Sequence, residues 1–396
     1  MTQGTGRHRP GRTARSGPLR EGFTTGSAAT AAALAALRLL LSGQAPDSVD
    51  IPLPPITDGR ERARLRVPVA ACGSAAASPA GTFGGQAPPR AAWALVIKDG
   101  GDDPDATVHA RIRADVTVRL EATTPGAPRP SLRITLDGGR GVGRVTLPGL
   151  PVPVGEAAIN PVPRMQIAHA LREACAASGL GGSISVVISV EDGELLARQT
   201  MNARLGIVGG ISILGTQGIV KPFSHDAWRA SIAEGLDVAA ALRCPAVALS
   251  TGRRSERLLM RERPDLPEQA FVQAADFAAF SLREAGRRGF PGLIWGCFFG
   301  KLVKLAQGME YTHAREGEPD MALLARHAAA AGLRSPHMLE TCVTASHALD
   351  ILLGDPAGRI LLRRLGAQAR THAAAFAGRP VTLYLFHLDG RTLLTL

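Results

Sequence analysis

Cysteine and aromatic residues are scarce in this chain of 396 residues, which has five cysteines and only 4% Phe, Trp and Tyr. Cys72, Cys175, Cys244, Cys297 and Cys342 are widely separated, odd in number and free of CxxC or Cys/His ligand spacing. The spacing argues against a disulfide framework and a zinc site and points to a reducing cytoplasm, and no protein-bound metal is predicted for the chain. So few aromatics leave little for a base-stacking nucleic-acid surface. Long apolar runs are lacking too. Residues 28–41 are too short a run to span a bilayer, and Arg38 interrupts it. Arg7, Arg9, Arg12, Arg15 and Arg20 precede this run as in a signal peptide, which is the alternative reading. Against it, Glu21 and the turn Thr24-Thr25-Gly26-Ser27 separate the two, and no convincing small-residue cleavage site follows. The expectation is a soluble cytoplasmic protein that binds neither membrane nor nucleic acid.

Acidic residues are outnumbered, 34 against 45 Lys and Arg, giving a formal net charge of +11. Such an excess suits an anionic partner, and a polycarboxylate or phosphate ligand is one such class. Part of the charge sits in residues 1–18, a polar, Gly/Pro-rich stretch read as a disordered basic tail, through which nucleic-acid binding is a minority reading. The length predicts two or three domains at roughly 100–200 residues each.

An Ala/Leu-rich helix is predicted from Ser27 to about Leu41, capped by the turn before it. Residues 73–91 read as a surface insertion. Strands follow at 92–99, 110–120, 131–137 and 183–190, with a helix at 164–177. After Pro222 the rhythm becomes helix (226–243), strand (246–251), helix (267–287), strand (292–299), helix. Further helices are predicted at 319–332, 336–353 and 357–376, then a hairpin across Asp389-Gly390. The fold class is thus α/β and α+β multidomain. Residues 19–203 form an α+β domain with a mixed sheet, and residues 225–396 an α/β domain with helices flanking a mainly parallel sheet.

Between them, residues 204–224 read RLGIVGGISILGTQGIVKPFS, five glycines among Ile, Leu and Val. That is too apolar for a linker and too glycine-rich for an ordinary helix or strand. Two readings stand: a tightly packed interdomain crossing, and a wall of a ligand cleft.

Gly139-x-Gly141-x-Gly143 invites a dinucleotide or S-adenosylmethionine reading, but the glycines lead into Arg144-Val145-Thr146 and Pro148 rather than a helix. A Rossmann dinucleotide fold is excluded by motif, while close backbone approach of Gly141 and Gly143 to a ligand stands beside a plain structural turn. Asp99, Asp102, Asp103 and Asp105 crowd a turn after a strand, where carboxylates hold a hard cation, though not at EF-hand spacing, cap amides, orient a substrate or take a proton. Thr251-Gly252-Arg253-Arg254 and Gly300-Lys301 follow strand ends, where anions bind in open α/β sheets.

In collinear order, the segments LREGFTTGSAATAAALAAL, VIKDGGDDPDAT, GRGVGRVTLPGLPVPVGEAAINPVPR, NARLGIVGGISILGTQGIVKPFS, STGRRSER and GKLVKLAQG with THAR resemble one family. It is the CbiD-type cobalt-precorrin-5B (C1)-methyltransferases of anaerobic cobalamin biosynthesis, and the resemblance spans residues 19 to about 315. It implies S-adenosylmethionine-dependent methylation of cobalt-precorrin-5B at C1, giving cobalt-precorrin-6A. The cobalt arrives in the substrate, a cobalt-corrinoid precursor whose acetates and propionates suit a basic protein. Other pathway enzymes and a second copy of the chain are the expected protein partners. It also implies roles: Asp102, Asp103 and His313 as catalytic or orienting groups, and Thr24, Thr25, Gly26 and Ser27, with Gly141 and Gly143, as cofactor contacts. Arg253, Arg254, Lys301 and Arg315 would contact substrate. The chain departs from the family pattern at Ala28 (commonly Cys), at Phe298 and Phe299 (commonly a His), and at Tyr311 and Ala314. A diverged member is therefore expected, with a non-catalytic corrinoid-binding or scaffold protein as the alternative.

Overall fold

The computed structural model describes residues 17–56, 63–75, 90–122, 131–314, 317 and 320–396. The tail expected over 1–18 and the insertion over 73–91 lie mostly outside them. The architecture is mixed α/β, with two five-stranded sheets, each carrying its own apolar core.

Helix α1 (Thr25–Ser42) opens the first half. Thr24 caps it by accepting the Ser27 amide, and Gly43 ends it in the left-handed conformation. Its run of alanines makes it thin, and the strands beneath it present Ala92, Ala94 and Ala114, so helix and sheet approach closely and bury α1 on nearly every side. At 18 residues the helix is longer than the apolar run 28–41 and by length and composition could cross a membrane, but 78% of it is buried inside the fold, so it serves as a core helix. The sheet comprises β1 (Ala71–Ala75), β2 (Arg90–Ile97), β3 (Arg111–Ala122), β4 (Leu132–Gly138) and β5 (Leu180–Val190), ordered β1-β2-β3-β5-β4. All pairs are antiparallel except β4 with β5. The period-two alternation of β3 turns Ile112, Ala114 and Val116 toward the core and Arg111, Arg113 and Asp115 to the other face. Helix α2 (Pro161–Ala177) packs beside α1.

The glycine-rich stretch is neither helix nor linker. It runs back along the first half in short pairings: Ile207–Val208 with Arg144–Val145, Gly210–Ile211 with Gly141–Val142, and Ile219–Val220 with Gly22–Phe23. Val145, Val152, Ala158, Leu205 and Ile207 form a small core with Val238 of α3 (His225–Ala241), joining the stretch to the second half.

The second sheet orders β6 (Ala246–Ser250), β7 (Phe271–Gln273), β8 (Gly292–Phe298), β9 (Thr382–Phe386) and β10 (Thr392–Thr395) as β7-β6-β8-β9-β10. The first four are parallel, and the last closes a hairpin. Helices α4 (Arg253–Glu262), α5 (Ala278–Arg287), α6 (Phe299–Ala306) and α7 (Pro356–Ala377) connect and cover it. Two helix predictions need correction. Residues 267–287 are not one helix, because Phe271–Gln273 pairs in parallel with β6 and only 278–287 is α-helical. Residues 336–353 divide into His337–Glu340 and Ala345–Leu353, and Thr344 caps the second piece by accepting the His347 amide.

Candidate functional site

A cavity of about 440 Å³ opens between the two halves. Its walls come from the start of α1, the acidic loop after β2, the glycine-rich stretch, one face of α3, the first residue of α4 and strand β7. On α3 the stripe Trp228, Ser231, Gly235 and Val238 faces it, at the spacing that puts side chains on one side of a helix. The lining is mostly apolar with a few polar groups, the usual constitution of a small-molecule site.

At the first wall, Thr24 and Thr25 line the cavity. The first-turn donors of α1 are largely answered from within the chain. The Thr24 amide donates to Gly218 O and the Gly26 amide to Leu214 O, each at 3.0 Å, and the Ser27 amide donates to Thr24 Oγ1 at 3.1 Å. Thr25 Oγ1 accepts from the Leu214 amide at 2.9 Å. The glycine-rich stretch thus engages the helix start where a cofactor contact was expected, and Ser27 is fully buried, donating to Gly218 O at 2.8 Å.

The four aspartates of the acidic loop part company. Asp99 pairs with the Arg20 guanidinium, which holds its carboxyl below the usual range. Asp102 accepts the Arg20 amide at 2.8 Å, and Asp103 accepts the Phe223 amide at 2.9 Å, tying the loop to the entry of α3. Of the four, Asp105 lines the cavity. It accepts from Lys98 Nζ at 2.7 Å, and Lys98 is itself only 1% exposed. Burial would raise the Asp105 carboxyl, but the Lys98 charge and hydrogen bond, with the hydroxyl and amide of Thr107, hold it below its ordinary value.

On the second wall Arg253 lines the cavity, and no ion pair engages it among the described residues. Arg254 turns away, donating to Leu388 O and lying over the Phe298 ring at 5.5 Å. Lys301 pairs with Asp276 and donates to Thr312 O at 2.7 Å. His313 stacks on Tyr311 with ring centroids 6.0 Å apart, inside a cluster with His225 and Phe277 and outside the cavity lining. Two of the departures from the family pattern, Phe298 and Tyr311, therefore sit in aromatic packing. Gly141 and Gly143 lie where a side chain would strike Val190 and Ile207 respectively, so they serve chain packing. Arg315 lies outside the described residues.

The structure therefore brings Thr24, Thr25 and Arg253 to one cavity and leaves the other described site residues outside its lining. It adds Lys98, Thr107, Arg204, Trp228 and Gln273, to which the sequence assigned no role, and it picks Asp105 out of the four loop aspartates. Arg204 makes a two-pronged pair with Glu256 of α4, and Gln273 Nε2 donates to the same carboxylate at 2.7 Å. Among the described residues no group of three or more His, Cys, Asp or Glu side chains is placed to hold a metal ion.

Comparison with known proteins gives consistent matches. The CbiD family model matches residues 12–222, and the model for the CbiD C-terminal domain matches 311–395. A cobalt-precorrin-5B C(1)-methyltransferase of Nitratidesulfovibrio vulgaris is 50% identical over 395 residues, covering 99% of this chain and 96% of the relative. One from Salinispora arenicola is 43% identical over 380 residues, covering 94% and 90%. One from Geobacillus kaustophilus is 47% identical over 317 residues, covering 80% and 77%. A crystal structure of a cobalamin biosynthesis protein (CbiD) from Archaeoglobus fulgidus is 26% identical, covering 73% of this chain and 80% of that one, with a TM-score of 0.37, and nothing below rests on that superposition.

Proposed function

The chain belongs to the CbiD family, and from that premise we propose that it methylates C1 of cobalt-precorrin-5B in the cavity between its halves, with S-adenosylmethionine as donor. It is a C-methyltransferase, and relatedness along the whole chain carries that reading. The donor supplies a methyl on a sulfonium sulfur: the carbon nucleophile's electron pair forms the new C–C bond, and the S–C pair leaves with sulfur. Such a displacement asks the protein for alignment and exclusion of water more than for side-chain chemistry. The apolar walls of the cavity, among them Leu205, Val238 and Phe271, serve both needs.

Residues 19–203 and 225–396 act as two domains closing on the substrate, with 204–224 as their shared crossing, a division that the two separate cores support. Arg253, at the start of α4, holds a peripheral carboxylate of the macrocycle by a charge-assisted hydrogen bond. Thr24 and Thr25 present their methyl groups to the ligand. Asp102, Asp103 and His313 act as positioning groups, Asp103 by fixing the turn into α3. Arg254 and Lys301 hold the second domain together. All five cysteines are free thiols, in keeping with a cytoplasmic location.

The test is direct. Purified protein incubated with cobalt-precorrin-5B and methyl-labelled S-adenosylmethionine is expected to transfer one labelled methyl to C1, read by mass spectrometry and NMR. Binding of the corrinoid with no transfer would instead make the protein a carrier.

A further inference from the structure

Lys98 is a buried charge paired with the partly buried Asp105, and the methyl transfer itself has no task for the pair. The Lys98 ammonium can donate three hydrogen bonds, and among the described residues it meets one acceptor, Asp105 Oδ2 at 2.7 Å. The carboxylate has about four acceptor sites. Lys98 and the Thr107 hydroxyl, at 2.6 Å, share Oδ2, and the Thr107 amide takes Oδ1 at 2.9 Å. The cluster therefore offers the cavity two spare donors and one spare acceptor, and its ion pair is already neutral. The hydroxyls beside it are occupied: Thr24 Oγ1 by the Ser27 amide, Thr25 Oγ1 by the Leu214 amide.

A charge-balanced cluster whose ammonium is buried and whose carboxylate is 32% exposed selects an uncharged polar group. A carboxylate would add a third, unbalanced charge where desolvation penalises it, and an apolar group would leave the ammonium hydrogens unpaired. A vicinal diol matches, because each hydroxyl can accept from Lys98 and one can donate to Asp105. Size agrees with chemistry. A cavity of about 440 Å³ takes one drug-sized ligand such as a nucleoside, and lacks room for a carboxylate-fringed macrocycle as well. We propose that Lys98 and Asp105 bind the ribose hydroxyls of the adenosyl donor in the inner cavity. The macrocycle then covers the mouth, where Leu214 and Trp228 line the cavity yet stay 45% and 47% exposed.

This assignment rests on the methyltransferase reading, and the experiment separates the two. Isothermal titration calorimetry compares 5′-methylthioadenosine with its 2′,3′-dideoxy counterpart on the wild-type protein and on Asp105→Asn, whose folding is checked by its melting transition. The wild type is expected to prefer the ribose form by about ten-fold or more, the loss that unpaired buried donors impose. In Asp105→Asn the preference is expected to fall by about three-fold or more, because the ribose keeps its Lys98 donors and loses the charged acceptor. Equal binding of the two nucleosides by wild-type protein overturns the assignment without recourse to any variant, and so does an undiminished preference in a folded Asp105→Asn. If the wild type still transfers methyl, the ribose site alone has failed. If it neither transfers methyl nor binds either nucleoside or S-adenosylhomocysteine, the methyltransferase reading falls with it.

Discussion

Arg204 of the glycine-rich stretch and Glu256 of α4 meet across the junction of the two halves, with side chains 17% and 5% exposed. The guanidinium also donates to Phe271 O at 3.3 Å, so one arginine ties the crossing to α4 and to β7 at once. Removing Glu256 leaves Arg204 with Phe271 O and the exposed Glu268, 3.6 Å away, and takes the acceptor from Gln273. Glu256→Ala is therefore expected to destabilise the protein by about 1–3 kcal/mol. The double variant Arg204→Met with Glu256→Leu should recover much of that loss, because no buried charge is left behind. Urea denaturation of the three variants checks both statements; equal losses for the single and double variants would show that the pair contributes packing alone.

Gly209 and Gly215 separate the two roles of the crossing. Gly209 has φ +88°, but a side chain there would meet nothing within 4 Å, so Gly209→Ala carries only the left-handed backbone cost of about 1–2 kcal/mol. Gly215 has φ +131°, and its side chain would lie 2.5 Å from Cβ of Thr24, the cap of α1. Gly215→Val adds crowding of about 1–3 kcal/mol to that backbone cost and displaces a residue that lines the cavity. The expectation is a modest fall in melting temperature for the first with ligand affinity retained, and losses of both stability and affinity for the second. Those two outcomes together would make one stretch both crossing and cleft wall.

What was legible in the sequence followed from period and capping. The alternation of residues 110–120 marked β3, and Thr24 before an alanine run marked α1. The strand Phe271–Gln273 was hidden because three residues flanked by alanines carry no period, and only its pairing with β6 reveals it. The polar site was hidden for another reason. Four aspartates in one loop look alike until Arg20 and the Phe223 amide claim three of them, and those partners lie 79, 82 and 120 residues away. Arg204 gave no signal either, since its partner Glu256 is 52 residues distant.

Asp105 gives the protein a predictable acid response. Its carboxyl is depressed in the folded chain, so the unfolded chain binds that proton more readily. The stabilisation is fully present above the ordinary aspartate value of about 3.9 and is lost as pH falls through the lower folded value. Asp105→Asn should therefore be less stable than the wild type by a constant amount between about pH 5 and 8, a gap that narrows below about pH 4. Urea midpoints measured across that range give the answer; a gap that widens on acidification would mean that the Lys98 pair is not its source.

Arg253 and Lys301 follow glycine-bearing strand ends in the same domain and looked equivalent in sequence, yet the structure assigns them opposite surroundings. Lys301 is engaged by Asp276 and Thr312 O, and its replacement by Met takes the cation from the Asp276 carboxylate, while Thr312 O keeps Lys304 Nζ at 3.0 Å. Lys301→Met is therefore expected to lower stability by about 1–3 kcal/mol while leaving the KM for the corrinoid unchanged. Arg253 faces the cavity from the first residue of α4, so Arg253→Met removes nothing that the fold uses. Loss of one charge-assisted hydrogen bond, about 1.5–3 kcal/mol, corresponds to a rise of roughly ten-fold to a hundred-fold in the corrinoid KM. Raised salt should blunt this effect in the wild type, because the contact at the mouth is partly screened. Steady-state kinetics beside thermal melts distinguish the two residues: a KM effect at Lys301, or a stability effect without a KM effect at Arg253, would move the substrate's carboxylate contact away from α4.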